Sequence, residues 1–211
     1  MIKHKLKTVF VALTTIAAFS LFQTAAQAAV QIGAQAPEFS GTTADGKTVK
    51  LSDYKGKVVV LEWNNPFCPF VRKHYDAGNM QALQKEYTAK DIIWLSINSS
   101  AKDKQGYLEG AVLEEQLKKD ANAATAYIID ADGTIGRLYE AKTTPQMFVI
   151  SKEGAVMYNG AIDSISSADI SDIAKAEPYA KNAIDATIDG QSIKISTSAP
   201  YGCSIKYSDS H

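Results

Sequence analysis

Cys68 is the residue of this chain best placed to do chemistry. It stands in the stretch Trp63-Asn64-Asn65-Pro66-Phe67-Cys68-Pro69-Phe70-Val71-Arg72-Lys73-His74-Tyr75. The run before it, Val58-Val59-Val60-Leu61-Glu62-Trp63, is nearly continuously apolar, as expected of a strand covered on both faces. A proline directly after the cysteine is tolerated in a helix only within its first turn. The cysteine therefore sits where a strand hands over to a helix N-terminus. Free N–H groups and the positive end of the helix dipole stabilise a thiolate there. The competing reading is a buried structural cysteine, since free cysteine is among the most buried residue types. The helix-start position favours a reactive thiol.

The second cysteine, Cys203, lies in a patterned tail, Ala199-Pro200-Tyr201-Gly202-Cys203-Ser204-Ile205-Lys206-Tyr207. Gly202 permits tight turning or close backbone approach. If the two sulfurs can meet, Cys203 can resolve an oxidised Cys68 as a disulfide. It can equally form a fixed bridge or sit as a small buried residue. Arg72, Lys73 and His74 follow Cys68 within two helical turns, and charges in such places are usually solvated, which is the expectation here. One histidine and one nearby cysteine fall short of a transition-metal site. Neither thiol chemistry needs a metal, flavin or nucleotide, and no Gly-rich phosphate cradle is present, so no cofactor is expected.

The N-terminus reads as a secretory leader. Lys3, Lys5 and Lys7 precede an apolar run from Thr8 to Phe22, and Ala26-Gln27-Ala28 is a small-x-small cleavage site, too short in its core for a spanning helix. The expectation is residues 1–28 as signal peptide, cleavage after Ala28, and one domain over residues 29–211, exported or periplasmic and free of the membrane once cleaved. The net charge of −1 becomes more negative when the leader lysines are removed, which argues against nucleic acid or an anionic membrane as partner. Two cysteines in an oxidising compartment allow a disulfide but not a disulfide-dense scaffold.

Along the chain, Asp45-Gly46 signals a hairpin turn, and Ile92 to Ile97 reads as a second buried strand. Gly78 interrupts the helix opened at Cys68, with Met80, Leu83 and Tyr87 continuing as a helical stripe. Ala101 to Ala124, with Leu108, Val112, Leu113 and Leu117 on a rough stripe, reads as an inserted or crossover helix, Ala126 to Ile129 as a strand, and Thr134 to Lys142 as a short helix. Asp130-Ala131-Asp132-Gly133 lacks the remaining ligand spacing of a calcium loop and reads as a plain turn. Gln146 to Ile150 and Ala155 to Tyr158 form a hairpin, Asn159-Gly160 a further turn, Pro178 to Ile188 a helix and Ile193 to Ile195 a short strand or extended piece. Strands alternating with helices argue an α/β domain with a mixed sheet flanked by helices.

The strand at Val58–Trp63, a cysteine at the following helix start, Thr144-Pro145 before a strand and a closing hairpin with helix resemble the thioredoxin fold. Asn-Pro-Phe-Cys-Pro-Phe-Val together with Pro-Tyr-Gly-Cys-Ser-Ile-Lys-Tyr resembles the exported thioredoxin-like proteins grouped with peroxiredoxin-like redoxins (AhpC/TSA type), over about Val30 to Tyr207 and with a C-terminal extension. The resemblance implies a buried acid at Glu62 that exchanges a proton with sulfur and a cis-proline at Pro145. It implies substrate contacts from Thr144, Pro145, Phe67 and Pro69, and a tail folded back toward Cys68. The pattern departs from both parents. Val71 stands where thioredoxins keep the second cysteine of Cys-x-x-Cys. Leu61 and Asn65 stand where peroxiredoxins keep a proline and a threonine, and Pro145 stands in place of their arginine. The expected function is an exported thiol oxidoreductase acting through Cys68, with Cys203 as candidate resolving thiol. Its substrate would be a peroxide or a protein or small-molecule disulfide, with a thiol reductant as partner. The alternative is a non-catalytic thioredoxin-like binding module with a permanent Cys68–Cys203 bridge.

Overall fold

The computed structural model describes residues 30–208; the expected leader and its cleavage site lie outside the described residues. In chain order the strands are β1 (Ser40–Thr43), β2 (Thr48–Lys50), β3 (Val59–Trp63), β4 (Ile93–Asn98), β5 (Ala126–Ile129), β6 (Thr143–Thr144), β7 (Gln146–Ile150), β8 (Val156–Gly160) and β9 (Cys203–Ser204). The α-helices are α1 (Pro69–Asp76), α2 (Asn79–Thr88), α3 (Gly110–Lys119), α4 (Thr134–Leu138) and α5 (Tyr179–Ile188). Seven strands form one sheet in the order β2-β1-β5-β4-β3-β7-β8. β3 runs parallel to β4 and antiparallel to β7. This is the mixed thioredoxin-like sheet the sequence led us to expect, with the cysteine-bearing turn at the C-terminal end of a central strand.

The apolar run in β3 serves both faces of the sheet, because successive side chains point to opposite sides. Val58 and Val60 join Trp94, Met147 and Val149 in a core beneath α1, α2 and α5, which contribute Val71, Tyr75, Met80, Leu83, Tyr87, Ala183 and Ile184. Val59, Leu61 and Trp63 join Ile93, Leu95, Ile97, Phe148 and Ile150 in a second core on the opposite face, closed by Phe39, Ile135 and Tyr139. Glu62 alternates onto the first face, so the strand that ends at the reactive turn carries a fully buried carboxyl group beneath α1 and α2.

Some expectations of local structure need correction. The helix read over Ala101 to Ala124 is only α3; Gly106 and Gly110 adopt positive φ (100° and 56°) and hold the first part as a loop. Asn159-Gly160 is not a turn but the end of β8, and a side chain on Gly160 would collide with Ser198 of the tail. Of the two readings of Ile193–Ile195, the strand is not formed. The Asp130–Gly133 turn has a physical reason for its acids: the Asp130 carboxylate accepts the backbone N–H groups of Ile135 (3.0 Å) and Gly136 (2.8 Å), so it caps the start of α4.

Candidate active site

Cys68 is the residue immediately before α1, in an extended conformation (φ −77°, ψ 125°), with Pro69 as the first helical residue. Its carbonyl accepts the N–H groups of Val71 (3.0 Å) and Arg72 (2.8 Å), and its own N–H donates to Asn65 O (3.0 Å). Asn65 fixes the turn from its other side. Its Oδ1 accepts Phe67 N–H at 3.0 Å, while its Nδ2 donates to the Gln105 side chain at 2.9 Å. Gly106 has no side chain because one would strike Asn65. The loop before α3 thus buttresses the turn.

The cysteine is fully buried. Its Sγ lies 3.1 Å from the carbonyl oxygen of Thr144, to which the thiol donates. The Thr144–Pro145 peptide is cis, and β6, which ends at Thr144, forms a separate two-stranded sheet with β9 of the tail. In that pairing Thr144 faces Cys203. The tail therefore brings the second thiol to the residue that already touches the first, and Cys203 packs against the core cluster that holds Cys68. Both cysteines are free thiols. Burial, followed by the influence of the neighbouring Cys68, pushes the Cys203 thiol up to about 12, so Cys203 keeps its proton at neutral pH.

The close approach depends on Gly202. Its φ is +130°, and a Cβ there would lie inside van der Waals contact of the Thr144 carbonyl. The tail is secured on both sides of this point. Ser198 accepts Ala161 N–H (2.9 Å) and hydrogen-bonds Tyr158 (2.8 Å). Ile205 N–H donates to Lys142 O (3.0 Å), Ala101 N–H to Lys206 O (2.8 Å), and Tyr207 O–H to Ala141 O (2.9 Å).

The remaining expected site residues fall into two groups. Phe67 and Pro69 flank the sulfur and are exposed, Phe67 at 48%, so they form the solvent rim of the turn, whereas Thr144 is buried. Glu62 is buried in the layer beneath. Its carboxyl group accepts five hydrogen bonds: Asn64 Nδ2 (2.9 Å) and Tyr75 O–H (2.9 Å) on Oε1, and Gln84 Nε2 (3.0 Å), Trp94 Nε1 (2.8 Å) and Ser96 O–H (3.0 Å) on Oε2. These donors tie α1, α2, β3 and β4 together.

Arg72, Lys73 and His74 are not the solvated charges expected. Arg72 is paired with Asp76 and with Asp120 (2.6 Å), bridging α1 to the end of α3. Lys73 and His74 are each 1% exposed and gather with Asp163 and Tyr201. Val71 and Tyr75 mark the inner face of α1, and His74 lies on that same stripe at i+3 from Val71; this spacing was the available signal. Burial pulls His74 down to about 4 from an ordinary 6.5, with Asp163 opposing and Lys73 reinforcing.

Three outcomes test this geometry. Gly202→Ala should undock β9, exposing Cys68 to alkylation by a bulky maleimide in the folded protein, whereas the wild type should be alkylated slowly. Glu62→Gln places an amide N–H group among donors and should lower the free energy of unfolding by roughly 3 kcal/mol in a denaturant titration. Below pH 6.5 the unfolded chain binds a proton on His74 that the native protein refuses until about pH 4. Stability should therefore fall as pH falls through that window. His74→Gln should flatten the profile there by up to about 1.4 kcal/mol per pH unit.

Residues 32–159 match the AhpC/TSA family, a segment that includes Cys68 and Pro145 and ends before Cys203. The thiol-disulfide oxidoreductase ResA of Bacillus thuringiensis subsp. konkukian is 27% identical over 128 residues, covering 61% of this chain and 68% of the relative. The thioredoxin-like protein YneN of Bacillus subtilis is 29% identical over 143 residues, covering 65% and 77%. The solved structure of an uncharacterized conserved protein from Geobacillus kaustophilus superposes with a TM-score of 0.72 at 22% identity, over 86% of this chain and 95% of that one; it shows the shared fold. With more than half of its length matched by the family model, this chain belongs to the AhpC/TSA family.

Proposed function

We propose that the protein is an exported thiol–disulfide oxidoreductase whose working pair is Cys68 and Cys203. The observation that carries this reading is the convergence of two free thiols on Thr144, which accepts the Cys68 thiol and pairs with Cys203, beside the cis peptide of Pro145. The sequence lacks a local second cysteine because Val71 takes that place, and the tail supplies the missing thiol instead.

The reaction divides into two exchanges. Cys68 as a thiolate attacks one sulfur of a substrate disulfide. A bond forms between Cys68 Sγ and that sulfur, and the substrate's other sulfur leaves as a thiolate. Cys203 then attacks Cys68 Sγ; the bond from Cys68 to the substrate sulfur breaks, and that sulfur leaves as a thiol carrying the proton given up by Cys203. The substrate is reduced by two electrons, and the protein is left with a Cys68–Cys203 disulfide. An external thiol reductant restores the dithiol. Cys68 is fully buried, with Tyr201 and Cys203 of the tail packed against its core cluster, so entry of a substrate requires the segment around Gly202 to lift from Thr144. The exposed Phe67 and Pro69 then border the entrance, and Thr144 presents backbone groups to an extended substrate strand. Glu62, with five hydrogen bonds to framework donors, positions α1 and its N-terminal thiol.

Peroxide is the less suited substrate. Leu61 and Asn65 occupy the places of the peroxiredoxin proline and threonine. The nearest following guanidinium, Arg72, is already paired with two carboxylates, which leaves it poorly placed to polarise an O–O bond. Export is supported by the leader-like N-terminus and by the oxidising compartment that a two-cysteine exchange pair would serve.

Reduction of a model protein disulfide driven by dithiothreitol tests the reading. Cys68→Ser should reduce turnover to the buffer background. Cys203→Ser should retain the first exchange and accumulate a mixed disulfide on Cys68. Full turnover by Cys68→Ser would overturn it. A Cys68–Cys203 bridge that resists dithiothreitol in the native protein would favour the non-catalytic binding module.

A further inference from the structure

A buried charged cluster, Lys73, His74 and Asp163, lies on α1 and the loop it packs against. Lys73 is fully buried on α1. Its Nζ is 3.4 Å from Asp163 Oδ2 and 3.2 Å from the Ile165 carbonyl oxygen, to which it donates. His74 Nδ1 accepts from Asn79 Nδ2 at 2.9 Å, so the neutral ring carries its proton on Nε2. That nitrogen is 3.7 Å from Asp163 Oδ2 and has no hydrogen-bond partner. The other oxygen of Asp163 accepts Ile165 N–H at 3.0 Å and the hydroxyl of Tyr201. The Lys73 ammonium lies 5.8 Å from the centroid of the Tyr201 ring, and Phe70 packs edge-on against that ring at 5.8 Å.

Tyr201 precedes Cys203 by two residues, and both pack against the same core cluster that holds Cys68. Lys73, His74 and Phe70 belong to the helix whose N-terminus carries Cys68. The cluster thus joins the element bearing one thiol to the segment bearing the other. A buried ion pair contributes little net stability, because desolvation offsets the attraction, and its best-attested use is to fix register. The register available here is that of the tail.

We propose that Asp163, supported by Lys73 and His74, is a clamp on Tyr201 that positions Cys203 against Cys68 and so sets how readily the disulfide forms. The inference rests on the reading of Cys68 and Cys203 as the working pair. These are positioning residues; none touches the reacting sulfurs. A segment held in place presents its thiol at a higher effective concentration than a loose one. The clamp therefore favours the intramolecular disulfide over a mixed disulfide with an external thiol, and shortens the life of the mixed disulfide on Cys68.

Tyr201→Phe keeps the ring packing and removes the hydroxyl from Asp163, whereas Tyr201→Ala removes the whole grip. The reduction potential of the Cys68–Cys203 disulfide in a dithiothreitol redox buffer, and the lifetime of a glutathione mixed disulfide on Cys68, report the effect. Tyr201→Ala should destabilise the disulfide about tenfold, which is about 30 mV in potential, and lengthen the mixed-disulfide lifetime by a similar factor. Tyr201→Phe should give about a threefold effect in the same direction. Potentials and lifetimes within the error of the wild type in both variants would overturn the clamp, even if thermal stability fell. If Tyr201→Ala does not fold, Tyr201→Phe decides alone. A wild-type protein that forms no Cys68–Cys203 disulfide at all would instead defeat the underlying functional reading.

Discussion

The site depends on the backbone of one residue, Thr144. Its carbonyl accepts the Cys68 thiol, its strand pairs with β9 opposite Cys203, and its peptide bond to Pro145 is cis. These contacts place two sulfurs that are far apart in sequence on one short stretch of main chain. Gly202 is the condition for the approach, since any side chain there would meet the Thr144 carbonyl. The tail lies along an edge that an extended peptide could otherwise occupy. Resolving thiol and access control are therefore the same segment, and any gain in tail docking is a loss in access to Cys68.

The buried polar groups beneath the site serve a related end. The Glu62 carboxyl group gathers five donors from two helices, β4 and the turn after β3, and Asp163 gathers donors from α1, its own loop and the tail. A half-satisfied group in either place would be costly. Each hub fixes a direction: Glu62 sets where α1 begins above β3, and Asp163 sets where the tail crosses α1. Preorganisation of the thiol pair is distributed over side chains that do not themselves react.

The central strands were legible in the sequence because apolar runs bounded by turn residues leave few alternatives. The Cys68-Pro69 junction was legible because proline fixes where a helix can start. The cis peptide at Pro145 came through family resemblance, since the isomer leaves no trace in composition. The reach of Cys203 was not derivable, because it depends on a tail path set by Ser198, Tyr201 and Ile205, contacts between residues far apart in the chain. Lys73 and His74 were misjudged for a physical reason: a charged side chain is usually solvated, and only its buried partner Asp163, some ninety residues away, makes the exception. Gly106 and Gly110 were the local sign against a long helix over Ala101 to Ala124, outweighed by a rough apolar stripe.

The most direct measurement is peptide mapping by mass spectrometry of the protein after oxidation by a stoichiometric disulfide reagent, with free thiols blocked before digestion. The account predicts one cross-linked species joining the Cys68 peptide to the Cys203 peptide within a single chain. Cys68 and Cys203 both recovered as blocked thiols, or Cys68 linked only to a second copy of itself, would contradict it.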